Sequence, residues 1–213
     1  MTHSFDINFD PRPARETRRR LLDLVISPID DFTGRLVVGG VTAEVRRQSV
    51  RARRSLSGHL AFEQLIPEEK HVVHIDPATA GYFAPDPVEV DMPQNRETRI
   101  VRLIQRPDAV VDGASMVVRG AVVRQGNGEP VAGQVIEGRI AGVADPFRTQ
   151  TNGRGNFALR LRPPSPILGA DPVPVPFTAN VTLQFVGAGI PNITLSNVED
   201  MRTRVLGAEV EIP

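Results

Sequence analysis

Apolar residues recur along this chain with a period of two, in short runs separated by glycine and proline. The clearest run is Ala179, Val181, Leu183 and Phe185, alternating with Thr178, Asn180, Thr182 and Gln184. Such alternation turns one face to a core and the other to solvent, which is the pattern of a half-buried β-strand. Phe157, Leu159 and Leu161 alternate in the same way with Ala158, Arg160 and Arg162, as do Val41, Ala43 and Val45 with Thr42, Glu44 and Arg46. Leu22, Leu24 and Ile26 open the series, and Pro28 with Asp30-Asp31 reads as the end of that first strand. Further strands are predicted over 60–62, 71–75, 88–90, 99–104, 116–124 and 134–140, and a closing strand over 205–212. Short strands punctuated by Gly/Pro turns predict an all-β sandwich architecture.

Part of the pattern occurs twice. Gly34-Arg35-Leu36-Val37-Val38-Gly39-Gly40-Val41 returns about 94 residues later as Gly128-Glu129-Pro130-Val131-Ala132-Gly133-Gln134-Val135. Gly58-His59-Leu60-Ala61-Phe62 aligns with Gly153-Arg154-Gly155-Asn156-Phe157. Each copy reads as turn, strand, turn and a strand seeded by a buried aromatic. The division that follows is an N-terminal arm over 1–20, a first sandwich domain over 21–106, a linker over 107–114 and a second sandwich domain over 115–213. A linker this short predicts a restricted orientation between the two modules. The arm is polar, holds Pro11, Pro13 and five arginines, and shows no apolar period, so it is expected to be flexible or docked on a partner.

In the second copy, Val118-x-Gly120-x-Val122 leads to Gly128-x-Pro130-Val131-x-Gly133, and then to Thr149-x-Thr151-x-x-x-Gly155-x-Phe157. This succession resembles the carboxypeptidase regulatory-like, or transthyretin-like, sandwich module. The match covers most of 115–213. It is weaker over 21–106, where Leu36 stands in place of the proline and Ser57-Gly58 is a reduced turn. The resemblance implies two tandem Ig-like/transthyretin-like antiparallel β-sandwich domains. It also implies a non-catalytic module of the kind attached to enzymes, receptors and surface or particle proteins. Enzymes on related sandwiches lack their residues here. Intradiol dioxygenases resemble the fold and use two tyrosines and two histidines on iron, whereas Tyr82 is the one tyrosine of this chain. Hydroxyisourate hydrolases end in Tyr-Arg-Gly-Ser, whereas this chain ends Val210-Glu211-Ile212-Pro213.

Charge changes the picture only locally. Lys+Arg and Asp+Glu each number 25, so no global field favours nucleic acid or an anionic membrane. There is no cysteine, which excludes disulfides and thiolate chemistry. Leu21–Ile26, after Arg18, Arg19 and Arg20, is too short and too interrupted by Asp23 for a signal peptide, so cytoplasmic synthesis is expected, as for a subunit of a particle assembled in the cell. His59, His71, His74 and Asp76 are the candidate metal ligands. His71 and His74 differ by three positions in a strand and project to opposite faces, and His74 with Asp76 makes only two ligands. Asp30, Asp31, Asp86, Asp91, Glu199 and Asp200 lack the spacing of a calcium loop. No cofactor is expected.

Two segments remain as candidate contact surfaces. Arg46, Arg47, Arg51, Arg53 and Arg54 fall within nine residues without interleaved aromatics, which suits an acidic protein surface better than nucleic acid. The stretch 163–176 holds Pro163, Pro164, Pro166, Pro172, Pro174 and Pro176, too proline-rich for a central strand and suited to a contact loop. With Arg18, Arg19 and Arg20 of the arm, these predict a structural or adaptor protein with protein partners, such as a phage tail or phage-tail-like injection particle. The other function in view is a module that binds carbohydrate or a small ligand.

Overall fold

The computed structural model describes residues 23–66, 70–91, 97–109, 116–162, 178–199 and 202–213. Within them the chain is all-β. The strands of the N-terminal half are β1 (Leu24–Asp30), β2 (Thr42–Val45), β3 (Val50–Arg51), β4 (Arg53–Arg54), β5 (Leu60–Phe62), β6 (Lys70–Asp76), β7 (Val88–Asp91) and β8 (Glu97–Leu103). Those of the C-terminal half are β9 (Met116–Arg124), β10 (Val135–Ile140), β11 (Phe147–Gln150), β12 (Asn156–Leu161), β13 (Thr178–Phe185), β14 (Ile193–Glu199), β15 (Thr203–Val205) and β16 (Val210–Ile212).

The first half packs sheet β4-β5-β1-β8 against sheet β3-β2-β6-β7. Between them lies one apolar cluster, with Leu24, Ile26, Leu60, Phe62 and Leu103 from the first sheet and Ala43, Val45, Val73, Ile75 and Val90 from the second. The second half packs sheet β12-β9-β15, with β16 also on β9, against sheet β11-β10-β13-β14. Its cluster holds Met116, Val118, Phe157, Leu159 and Leu161 facing Ile136, Ile140, Val181, Leu183 and Phe185. The alternation of the sequence is obeyed: β13 reads exposed, buried, exposed, buried up to a half-buried Thr182. Full burial of a Leu or Phe side chain stabilises by about 1.5–3 kcal/mol, so each cluster is a core in its own right.

Each sandwich joins antiparallel pairing to one parallel seam. β1 pairs β8 in parallel over seven register positions, from Leu24↔Glu97 to Asp30↔Leu103. β9 pairs β15 and β16 in parallel. The sandwiches are antiparallel as expected apart from this seam. The predicted closing strand over 205–212 is instead two strands, interrupted at 206–209. Pro28 does not end the first strand but lies inside it. Its partner β5 stops opposite Ile26, so no ladder bond is asked of the missing N–H, while its carbonyl accepts from Val37 N at 2.8 Å.

The turn chemistry ties the two halves together. Asp30 N donates to Arg35 O and Gly34 N to Asp30 O, as Arg124 N donates to Glu129 O and Gly128 N to Arg124 O. Leu36 bridges Ile29 just as Pro130 bridges Val123, so the leucine occupies the proline's place. In the next turn the correspondence shifts. Ser55 N bonds His59 O and Gly58 N bonds Ser55 O, as Asn152 N bonds Asn156 O and Gly155 N bonds Asn152 O. Gly58 thus matches Gly155 rather than Gly153, and Leu60 rather than Phe62 matches Phe157.

Candidate interaction surface

The arginine-rich segment crosses from one sheet to the other. Val50–Arg51 pairs β2 in the second sheet, Ala52 N donates to Ala43 O at 2.9 Å, and Arg53–Arg54 pairs β5 in the first sheet. The segment seals one flank of the sandwich, with Arg51 and Arg53 outward and Val50 and Ala52 half-buried. Its five arginines are not equivalent. Arg46 Nε bonds Glu44 Oε1 at 3.0 Å, and Arg51 Nε lies 3.9 Å from Glu44 Oε2. The Arg54 guanidinium turns back to the carbonyls of Val38 and Val41, pinning the loop that enters β2. Arg47 and Arg53 are exposed and make no ion pair or side-chain hydrogen bond among the described residues.

Two apolar side chains flank this segment that sequence inspection did not single out. Leu56, at the tip of the turn after β4, is fully exposed, and Val38 is 59% exposed. Ser55 shapes the tip: its hydroxyl accepts from His59 N at 3.0 Å and meets Ser57 Oγ at 2.9 Å. A bare leucine three positions after Arg53, whose guanidinium is uncommitted among the described residues, is an apolar contact with a cation at its side. A cleft of about 500 Å³ borders the same flank, lined by Glu44, Arg46, Arg51, His74 and Asp76. Glu44 and His74 are cross-strand partners there. Arg18, Arg19, Arg20 and the prolines of 163–176 lie outside the described residues.

The histidines take structural places. His71 is buried, its Nε2 3.0 Å from Ile66 O and its Nδ1 3.3 Å from Gln48 Nε2. His59 Nδ1 lies 2.8 Å from Ser27 Oγ. Among the described residues, no three His, Cys, Asp or Glu side chains gather as ligands for one ion.

A second cluster joins the two sandwiches, and no sequence signal marked it. The turn after β1 is built by Asp30, whose Oδ1 accepts from Thr33 N at 2.6 Å and whose Oδ2 accepts from Tyr82 OH at 2.7 Å. Burial, with the bond to Asp30, raises the Tyr82 phenol well above its ordinary value. This turn presents Phe32 to the second sandwich, 6.1 Å from the Phe147 ring centroid. The Arg160 and Arg162 guanidiniums stand over the Phe32 ring at 5.6 and 5.1 Å, within cation–π range. Arg162 also donates to Phe32 O at 3.3 Å, and Arg160 to Gln105 Oε1. The arginines read in the sequence as the solvent face of β12 thus hold the junction.

A wider cleft of about 950 Å³ lies beside that junction, with Arg106, Arg119, Arg154, Asp108 and Glu209 in its wall. Arg106 is already clamped on Asp108, at 3.2 and 3.0 Å.

No protein-family model matches the chain, and no curated protein matches it. Among solved structures, it is similar to the Bacillus anthracis TIE protein at 10% identity and a TM-score of 0.33, covering 89% of this chain and 33% of that one. A streptococcal ancillary pilin shares 12% identity at a TM-score of 0.29, over 92% of this chain and 64% of its own. The minor pilin GBS52 of Streptococcus agalactiae shares 12% identity at a TM-score of 0.30, over 89% and 95%. The chain thus spans about a third of the first and under two thirds of the second. At these scores the fold assignment stands on the strand pairing alone: two β-sandwiches joined by a Phe32-centred contact.

Proposed function

We propose that this chain is a non-catalytic structural or adaptor protein of a larger assembly, and that its two sandwiches are tandem domains of common descent. One observation carries the docking surface: fully exposed Leu56 in the turn that follows Arg53, whose charge no described residue neutralises. An exposed leucine with a cation at its side fits an acidic protein surface with an apolar centre, the usual composition of an interface. The arm arginines Arg18, Arg19 and Arg20 and the prolines of 163–176 are further docking segments in this proposal. A contractile phage-tail-like particle is the finer form of it, taken by analogy.

The test is made in the source cell with a tagged full chain. In the assembly reading the chain sediments with a high-mass particle, and the Arg47→Glu/Arg53→Glu/Leu56→Asp variant returns to the slow fraction with its melting temperature unchanged. Charge reversal at exposed Arg204, in the other sandwich, leaves sedimentation as it was. A triple variant that still co-sediments fully rules out this flank as the docking surface. A second reading, a small-ligand module, draws on the 950 Å³ cleft with Arg119 and Arg154 in its wall. A thermal-shift screen with anionic sugars supports that reading if the melting temperature rises, since ligands of the native state stabilise it by mass action.

A further inference from the structure

Asn-Gly pairs occur twice in this chain, Asn127-Gly128 and Asn152-Gly153, each in a turn of the second sandwich. Such a pair carries both halves of a reaction. The asparagine supplies an electrophilic carboxamide carbon, and the next residue supplies a backbone nitrogen with no side chain to shield it. Attack of that nitrogen on that carbon closes a cyclic imide.

The fold treats the two nitrogens differently. Gly128 N donates to Arg124 O at 3.0 Å, so its proton is already committed. Gly153 N donates to no described residue, in a turn closed by Gly155 N on Asn152 O at 2.9 Å. Gly153 is exposed, and a Cβ placed on it would meet nothing within 4 Å, so solvent reaches its N–H.

The two carboxamides differ as well. Asn152 Oδ1 accepts from Arg154 N at 2.9 Å and from Asn156 N at 3.1 Å. Asn127 Oδ1 accepts from Glu129 N alone among the described residues, at 3.1 Å. Two N–H donors on one oxygen stabilise the negative charge that builds there as nitrogen attacks the carbon, as an oxyanion hole does. The free nucleophile and the polarised electrophile thus belong to the same pair.

We propose that Asn152-Gly153 is a site of spontaneous self-modification, in which a succinimide converts Asn152 to aspartate and isoaspartate, while the fold protects Asn127-Gly128. Hydroxide takes the Gly153 amide proton, and the nitrogen bonds to Asn152 Cγ. The Cγ–Nδ2 bond breaks, and Nδ2 leaves as ammonia after taking a proton from water. Water then opens the imide at one of its two carbonyls. Opening at Cγ gives aspartate, which retains an oxygen for both N–H bonds, now charge-assisted. Opening at the backbone carbonyl reroutes the chain through Cγ and turns the acceptor of Gly155 N into a free carboxylate. Either product adds a negative charge to the wall of the 950 Å³ cleft that holds Arg119 and Arg154. The reaction needs only water and stands apart from the docking surface proposed above.

Peptide mapping by mass spectrometry, on the full chain incubated in mildly alkaline buffer, tests it. Cleavage at arginine puts the two pairs on separate peptides. The Asn152 peptide gains about 1 Da and splits into its two product forms. It does so about ten-fold faster than the Asn127 peptide, the factor expected where one site must first break a hydrogen bond that the other lacks. In urea, where both turns are lost, the two rates converge. A difference that persists unchanged in urea belongs to the sequence around each pair and overturns the proposal. So do equal rates in the folded chain, a faster Asn127, or an Asn152 that stays intact in the folded chain.

Discussion

The glycines show at residue scale why one copy of the pattern is easier to read than the other. Phe157 lies directly opposite Gly120 in the β9–β12 register, and a Cβ on Gly120 would come within 2.8 Å of that ring and of Leu206 Cδ1. In the first sandwich the matching pair is Ile26 and Leu60, both buried. A glycine with an aromatic has been exchanged for two aliphatics, so the aromatic, Phe62, appears one face position later. Pairing Phe62 with Phe157 therefore sets the turn glycines, Gly58 and Gly155, out of register. The turn glycine, Gly155, has φ +73, and a Cβ there would collide with Val122 O; Gly153 has neither constraint. We expect Gly155→Ala to cost more than the roughly 1–3 kcal/mol of a strained backbone, and Gly153→Ala to stay within about 0.5 kcal/mol, by urea unfolding. Tyr82 gives a pH test. Its phenol is raised in the fold, so the native state holds the proton more tightly, and this contribution is complete below the unfolded value near 10 and fades as pH climbs above it. Stability measured from pH 9 upward therefore declines more steeply in the wild type than in Tyr82→Phe.

Loop bonding at element scale explains the rest of the motif. Thr151, buried, donates to Val131 O at 2.6 Å and accepts from Gln134 N at 2.9 Å, so it clamps the loop that enters β10. Thr149 Oγ1 donates to Ala158 O at 2.9 Å, crossing from one sheet to the other. In the first sandwich the loop clamp is the Arg54 guanidinium on the carbonyls of Val38 and Val41. A long charged side chain has replaced a short hydroxyl, and period-based reading took it for surface charge. Thr151→Val should leave a buried donor and acceptor unpaired and cost about 1–3 kcal/mol in thermal unfolding. Most strands were legible because β2, β5, β6 and β13 each bury alternate residues, while β9 and β12 are long apolar runs at the centre of their sandwich. β3, β4, β11 and β14 were not, being edge strands whose exposed residues dilute the alternation. Pro28 misled for the same reason: whether a proline ends a strand depends on the partner opposite it.

The junction at the scale of the whole molecule decides how the two cores behave together. Its parts come from Asp30–Gly34, Tyr82, Gln105, Phe147, Arg160 and Arg162, scattered over the chain and without a shared period, which is why only the shortness of the linker hinted at it. Removing the ring by Phe32→Ala takes away the cation–π and aromatic contacts while leaving both clusters whole. Small-angle scattering should then report a larger radius of gyration, and calorimetry two resolved transitions in place of a more concerted one. The parallel seam has a mechanical consequence as well. β1 opens the first core and β8 closes it, side by side and pointing the same way over seven register positions. Tension applied at Asp23 and at Arg106 therefore slides the two strands past each other, and the ladder bonds between them must yield together instead of one at a time. β9 and β16 bracket the second core in the same sense. Pulled end to end, the chain resists in shear at both sandwiches, and a single-molecule force trace should show two high rupture peaks rather than a low unzipping plateau.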